Sequence, residues 1–281
     1  MRMVHDLFDF YLRSSLHVSL CYIAFFAVVA LSAGFEPTIW ELLAVGTSTL
    51  VGYNLAKYVH LLQRSFRFRR WIIALTMVCV VVALVAVVEM GINAIALFLV
   101  CGLLTSLYAL PEILGRSFRQ IPILKLLTIG LCWSLMAVLL PEIIIENSEL
   151  LENSVFRKEN FGMPIVLVLP ILKYTLFVIA LCIPFEIRDL KYDASELRTL
   201  PQLIGIRASE YTGIFLLLIV AGIDIWQFEV TQYDSVIALV IYALTALAIA
   251  FSNKFKSDYY ASFWVESIPA IWLGLWCAVN Y

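Results

Sequence analysis

The sequence predicts an all-α membrane protein, a bundle of nine transmembrane helices. Three observations predict it. Hydrophobic residues make up 63% of the 281 residues and charged residues only 14%, where a soluble domain carries about 25% charge. The apolar residues fall in runs of roughly 20, the length that spans a bilayer. The basic residues alternate between successive loops. A β-barrel is excluded, since its strands would run about 10 residues with dyad alternation.

The nine spans are expected near 15–34, 38–62, 70–89, 91–110, 121–142, 163–185, 210–227, 235–252 and 259–280. Lipid offers open-chain backbone no partner but itself, so each should be a helix. The first run is too long for a cleaved signal, and no small-residue cleavage pattern follows it. With the N-terminus in the cytoplasm, 15 of the 19 Lys and Arg residues fall on cytoplasmic segments and only Arg157 and Lys158 outside, with Lys57 and Lys173 inside spans. That asymmetry obeys the positive-inside rule and supports an odd number of spans with the C-terminus outside. The orientation fits a bacterial inner membrane.

The six cysteines all fall within spans, none at metal-ligand spacing, and read as packing residues. No basic stripe interleaved with aromatics points to nucleic acid, and "RSFRFRR" reads as an inside anchor for anionic lipid. The net charge of −2 separates no partner class, because the two faces differ so much. No linker or low-complexity segment interrupts the chain, so one transmembrane domain covers 1–281. The longest connections are the Glu-rich outside loop near 143–162 and the cytoplasmic loop at 186–209.

The second of these loops carries chemistry. In "PFEIRDLKYDASELRTLPQLIG", Glu186, Asp189 and Asp193 stand at i, i+3 and i+7, one face of a continued helix. Three acids so placed repel one another unless a cation compensates, and Mg²⁺ suits carboxylate oxygens and substrate phosphates. The D-x-x-x-D pair Asp189 and Asp193, the segment Arg198 to Pro201 and Gly205 resemble the second aspartate motif of the UbiA family of intramembrane prenyltransferases. Glu186 falls on that motif's upstream acid.

The resemblance implies a nine-helix UbiA-like bundle that moves a prenyl group from a polyprenyl diphosphate to a lipophilic acceptor. The acceptor would be an aromatic ring or quinone precursor, making the chain a transferase of alkyl or aryl groups other than methyl. It implies Mg²⁺ at Glu186, Asp189 and Asp193. The family's first motif, N-D-x-x-D-x-x-x-D at the end of the second span, falls on "YNLAKYVHLLQR". Asn54 fits, but the aspartate positions hold Leu55, Tyr58 and Leu62. Lys57 and His60 share Asn54's helical side. Either they bind diphosphate where metal would have been, or the bundle only binds or transports an isoprenoid or other lipid. A purely structural subunit would need neither the acidic triad nor Lys173.

Further candidate diphosphate contacts are Tyr108, Arg116, Arg119 and Lys125 after the fourth span, and Arg198. Each has a plainer reading. Asn54 would bond a neighbouring helix, Lys57 would snorkel to the headgroups, and His60 would sit at the interface. Lys173, near mid-span, needs a partner or a polar cavity, and Glu266 in the ninth span is a candidate partner. Tyr58, Phe118, Tyr174, Phe185 and Trp264 would suit a cavity that shields a carbocation, though most such aromatics face lipid.

Overall fold

In a computed structural model, the described residues are 2–59, 65–109, 121, 123–146, 163–192, 197–227, 233–255 and 257–281. They form helices and short turns. In chain order these are α1 (Arg2–Arg13), α2 (Leu16–Ser32), α3 (Ile39–Tyr58), α4 (Arg69–Glu89), α5 (Ile92–Ala109) and α6 (Leu124–Glu146). There follow α7 (Met163–Asp189), α8 (Leu200–Ile204), α9 (Ile206–Gln227), α10 (Tyr233–Phe251), a π-helical turn (Tyr260–Val265) and α11 (Ile268–Asn280).

A helix lies at each of the nine expected spans, but fewer meet the demands of a bilayer. Among the described residues six helices are long and apolar enough to cross, or seven if α1 and α2 form one bent span. The chain is an integral, multi-pass membrane protein. The described residues thus give six or seven crossings by length and composition where the sequence led us to expect nine. α3 spends its apolarity on Glu41, Thr47, Ser48, Thr49, Asn54 and Lys57, several of which line a cavity.

The helix ends follow local rules. Thr38 caps α3: its side chain accepts from the Glu41 amide while the Glu41 carboxylate takes the Thr38 amide at 2.7 Å. At α8 the Gln202 side chain accepts from the Thr199 amide at 3.0 Å, with Pro201 in the first turn. α1, absent from the expected elements, is a short amphipathic helix that turns by 55° into α2 at Ser14 and Ser15. Arg67 binds Asp6 and Asp9, and Tyr259 donates to Asp9 at 2.8 Å, so α1 straps the loop after α3 to the start of the last span.

α2 is the central post, buried along most of its length and packed on α3, α6 and α11. Its Tyr22, Phe25 and Phe26 meet Trp133 of α6, Phe177 of α7 and Trp272 of α11 in the main core. α6 and α7 approach closely at Gly130, where a Cβ would stand 3.0 Å from the Thr175 carbonyl oxygen. One turn on, Ser134 and Thr175 share a hydrogen bond of 2.7 Å. Small residues and hydroxyls are what bring membrane helices together, because lipid is as apolar as they are.

Lys173 does not pair with Glu266. It donates to Asp224 of α9 at 2.6 Å, and Asp224 also accepts from Tyr242 of α10. All three side chains are buried. A lone charge here would cost several kcal/mol, and the pair with its tyrosine locks α7, α9 and α10 together. Breaking a buried pair costs about 3–5 kcal/mol, while replacing both partners with apolar groups is often near neutral. Asp224→Leu is therefore expected to lower the thermal unfolding midpoint in detergent sharply. Lys173→Met combined with Asp224→Leu should recover most of the loss.

Candidate functional site

A cavity of about 560 Å³ opens at the end of the bundle where α3 and α7 finish and α6 begins. Its walls are apolar: Val80, Ala83 and Leu84 of α4, Phe98 of α5, Ile129 and Met136 of α6, Val178 and Leu181 of α7. Its charged groups are Lys57, Lys125, Glu186, Arg188, Asp189 and Glu266. Each comes from a helix end or from the π-helical turn, where a π segment re-aims side chains that a regular helix would turn away.

α7 runs unbroken through the acidic stretch to Asp189, so Glu186 and Asp189 share one face as the spacing requires. Lys125, from the first turn of α6, donates to Glu186 at 2.5 Å and stands 3.8 Å from Asp189. Arg188 binds Asp189 at 2.7 Å and lies over the Phe185 ring, 5.2 Å from its centre.

Lys57 is held differently. It stands in the last turn of α3, exposed on the cavity wall. Its ammonium donates to the Ser15 hydroxyl at 3.0 Å, and Ser15 donates to the Asn54 amide oxygen at 2.8 Å. The Asn54 nitrogen donates to the Ser14 carbonyl at 3.1 Å and to the Thr76 hydroxyl at 2.8 Å. Asn54, Ser14 and Ser15 are fully enclosed. Ser15 has a φ of 63°, a left-handed conformation that costs a non-glycine residue about 1–2 kcal/mol. That strain is held where the Ser15 hydroxyl meets Lys57.

The cavity thus gathers Lys57, Lys125, Glu186 and Asp189 from the sequence candidates. Asn54 lies beneath Lys57 and steadies it. Lys173 is elsewhere, in its own ion pair, and Arg198 is exposed and outside the lining. His60, Arg116, Arg119 and Asp193 lie outside the described residues, as do Phe118 and the Tyr108 side chain. Of the aromatics considered, Phe185 lines the cavity. Tyr58 stacks on Phe66, Tyr174 is in the core, and Trp264 faces outward.

Glu266, weighed from the sequence as a partner of Lys173 or part of a polar cavity wall, lines the cavity. Sequence reasoning missed Ser15 as a support, because its role depends on the bend between α1 and α2.

No protein-family model matches the sequence, and no curated protein matches it either. Solved structures do match in shape. A ligand-free UbiA homologue from Aeropyrum pernix K1 has a TM-score of 0.66 at 14% identity over 94% of this chain and 98% of that one. A UbiA homologue from Archaeoglobus fulgidus bound to GPP and Mg²⁺ has a TM-score of 0.56 at 13% identity over 95% of this chain and 99% of that one. A digeranylgeranylglyceryl phosphate synthase has a TM-score of 0.53 at 15% identity over 96% of this chain and 95% of that one. The chain has the UbiA fold.

The residues of that fold's cavity can be tested against a Mg²⁺ centre. Mg²⁺ demands near-octahedral oxygen at about 2.0–2.1 Å. Among the described residues no group of three or more His, Cys, Asp or Glu gathers to hold a metal. Glu186 and Asp189 are both turned to Lys125, and the Mg²⁺ set expected from the sequence needs Asp193, outside the described residues. From α3 the cavity is lined by Leu55 and Lys57, neither of which offers a carboxylate. The described residues do not fit a two-motif metal centre.

Two further groups tie the rim. Lys191 and Tyr192, just past α7, both donate to Asp258 before the π-helical turn. The Lys191 hydrogen bond holds the Asp258 carboxyl below its ordinary value of 3.8. A depressed carboxyl stabilises the fold above its unfolded pKa and loses that contribution as pH falls through its folded value. Both side chains are half exposed, so the effect is small. The difference in unfolding midpoint between wild type and Asp258→Asn should be present at pH 7 and start to shrink only as pH falls below 3.8.

Asn54 carries a larger expectation. Asn54→Ala removes three buried hydrogen bonds and should destabilise the protein by about 1–3 kcal/mol, read as a lower unfolding midpoint in detergent.

Proposed function

We propose that the chain is a UbiA-type intramembrane prenyltransferase. A polyprenyl diphosphate would lie with its tail along the apolar walls and its diphosphate at the charged end, and the prenyl group would pass to a lipophilic acceptor. The observation that carries this reading is a cavity with apolar depth and cations at its mouth, the two-part chemistry of such a substrate. The fold of the UbiA homologues, one of them bound to GPP, supports it.

The transfer breaks the bond between prenyl C1 and the diphosphate oxygen, which leaves with the electron pair. A bond forms from the acceptor's nucleophilic atom to C1, and the acceptor's proton must be taken up. Lys57, Lys125 and Arg188 would meet the leaving diphosphate, where cations stabilise developing charge. Glu186 and Asp189 hold Lys125 and Arg188 in place. Glu266, in the cavity and electrostatically close to Lys57 and Arg188, would take the proton. Tyr53, Phe98 and Trp133 present ring surface to the cavity, where water must be excluded from an allylic cation. His60, Arg116, Arg119, Arg198 and Asp193 would complete the rim. The mouth would face the cytoplasm, with the N-terminus on that side and the C-terminus across a bacterial inner membrane. Residues 1–281 would act as one domain.

A non-catalytic isoprenoid binder is the second reading, favoured by Leu55 and Tyr58 at the first motif's acidic positions. Turnover separates the two: diphosphate release with an acceptor panel supports the enzyme, and binding without release supports the carrier.

Gly102 of α5 lines the cavity, and a Cβ there meets nothing within 4 Å. Gly102→Phe should fill the tail space without disturbing the helix. Each buried methylene contributes about 0.8 kcal/mol, so shortening the accommodated tail by one five-carbon unit should cost geranylgeranyl diphosphate more than tenfold in affinity. Geranyl diphosphate should be affected less. Equal affinity for both chain lengths in both proteins would remove the tail from this cavity.

A further inference from the structure

We infer that Lys57 takes the place of a divalent cation: this chain binds the diphosphate of its substrate without Mg²⁺, through the Lys57 ammonium. The inference rests on the prenyl diphosphate reading and specifies how that same site works.

Three observations on the structure carry it. The first is where Lys57 stands. It occupies the cavity wall facing Glu186 and Asp189, beside Leu55, so an ammonium and an alkyl group sit where a carboxylate-held metal would need oxygen. A metal placed there would lack ligands on one side and meet a positive charge.

The second is what holds Lys57. A lysine at a helix end is ordinarily held by nothing but solvent, yet this one is anchored through Ser15 to a buried Asn54, itself fixed by Ser14 and Thr76. Three elements (the α1–α2 junction, α3 and α4) converge on one ammonium. The Ser15 hydroxyl accepts one hydrogen bond from the ammonium, which has three donors to give. Two remain for the cavity. That is an arrangement for presenting a point charge to phosphate oxygens, the use lysine serves in phosphate sites.

The third is charge accounting among the described residues. Of the three cations lining the cavity, Lys125 is bound to Glu186 and Arg188 to Asp189. Lys57 has no carboxylate at ion-pair distance: its bonded partner is a neutral hydroxyl, and Glu266, the lining carboxylate that bears on it most, lies beyond that distance. A diphosphate entering the mouth would give Lys57 a directly bonded counter-charge. It would draw on Lys125 and Arg188 only by competing with carboxylates already in place.

The test is the binding of geranyl diphosphate to the purified full chain in detergent, by titration calorimetry, in EDTA and in excess Mg²⁺. The expected result is the same affinity in both, within about twofold. Lys57→Met should weaken binding in EDTA by about 10- to 100-fold, the worth of one charge-assisted hydrogen-bonded contact. Lys57→Arg should keep most of the affinity, and Lys254→Met, a surface change outside the cavity, all of it. Unfolding midpoints check that each variant is folded, and the wild-type comparison needs no variant. Binding that disappears in EDTA and returns with Mg²⁺ would overturn the inference while leaving the prenyl diphosphate reading intact, as would undiminished binding by Lys57→Met. Binding in neither condition would overturn both.

Discussion

A charge placed in hydrocarbon must meet an opposite charge, a hydrogen-bond partner or a cavity, and the rest of this structure is arranged around that demand. Two lysines lie inside helices of the bundle, and each meets it in a different way. Lys173 is neutralised by Asp224, which Tyr242 also bonds, and all three are buried. Lys57 is bonded to a hydroxyl and exposed on the cavity wall. Burial with a full counter-charge makes a structural clamp. A neutral partner beside an open cavity makes a site. The same residue type thus serves packing in one place and binding in another, and depth and partner together decide which.

The clamp and the site also divide the bundle's helices. Lys173 and Asp224 fix α7 to α9, and Gly130 with the Ser134–Thr175 bond fixes α7 to α6. α7 is therefore held on two sides before it reaches the cavity, so Glu186, Arg188 and Asp189 project from a rigid post. On the opposite wall, α3 is tied to the α1–α2 junction and to α4 through Asn54. The cavity lies between two well-braced elements, which is what a site needs if charges must be presented with little reorganisation. α3's shortage of apolar residues has two uses: Ser48, Thr49 and Lys57 line the cavity, while buried Asn54 ties the helix to its neighbours.

The sequence made much of this legible. Long apolar runs located a helix at each expected span, because a bilayer leaves no other way to satisfy the backbone. The i, i+3 spacing put Glu186 and Asp189 on one face, and α7 keeps that register through its end. Local arithmetic sufficed for both. It could not choose Lys173's partner, since Glu266 and Asp224 lie in different later helices and only the packing of α7 against α9 decides between them. It passed over α1, although Met3, Val4 and Leu7 set against Asp6 and Asp9 already show helical periodicity, because a twelve-residue amphipathic helix carries no bilayer-length signal. Ser15 was invisible for the same non-local reason: a serine at a bend matters only through what the bend faces.

The charges at the cavity mouth explain why losing the first acidic motif need not leave an empty scaffold. With carboxylate sets on both walls, the mouth would be strongly negative and could admit a diphosphate only behind divalent cations. Here the described lining holds Lys57, Lys125 and Arg188 against Glu186, Asp189 and Glu266, three of each sign. Leu55 and Tyr58 at the acidic positions leave out repulsion that metal would otherwise have had to cancel, and Lys57 adds one attraction. Lys125 then has a reason to sit between Glu186 and Asp189: without a metal those neighbouring carboxylates would repel each other across low-dielectric space, and an ammonium 2.5 Å from one and 3.8 Å from the other relieves it. An ammonium on each wall is thus one consistent solution. One neutralises the acids that α7 keeps, and the other stands in for the acids that α3 lacks.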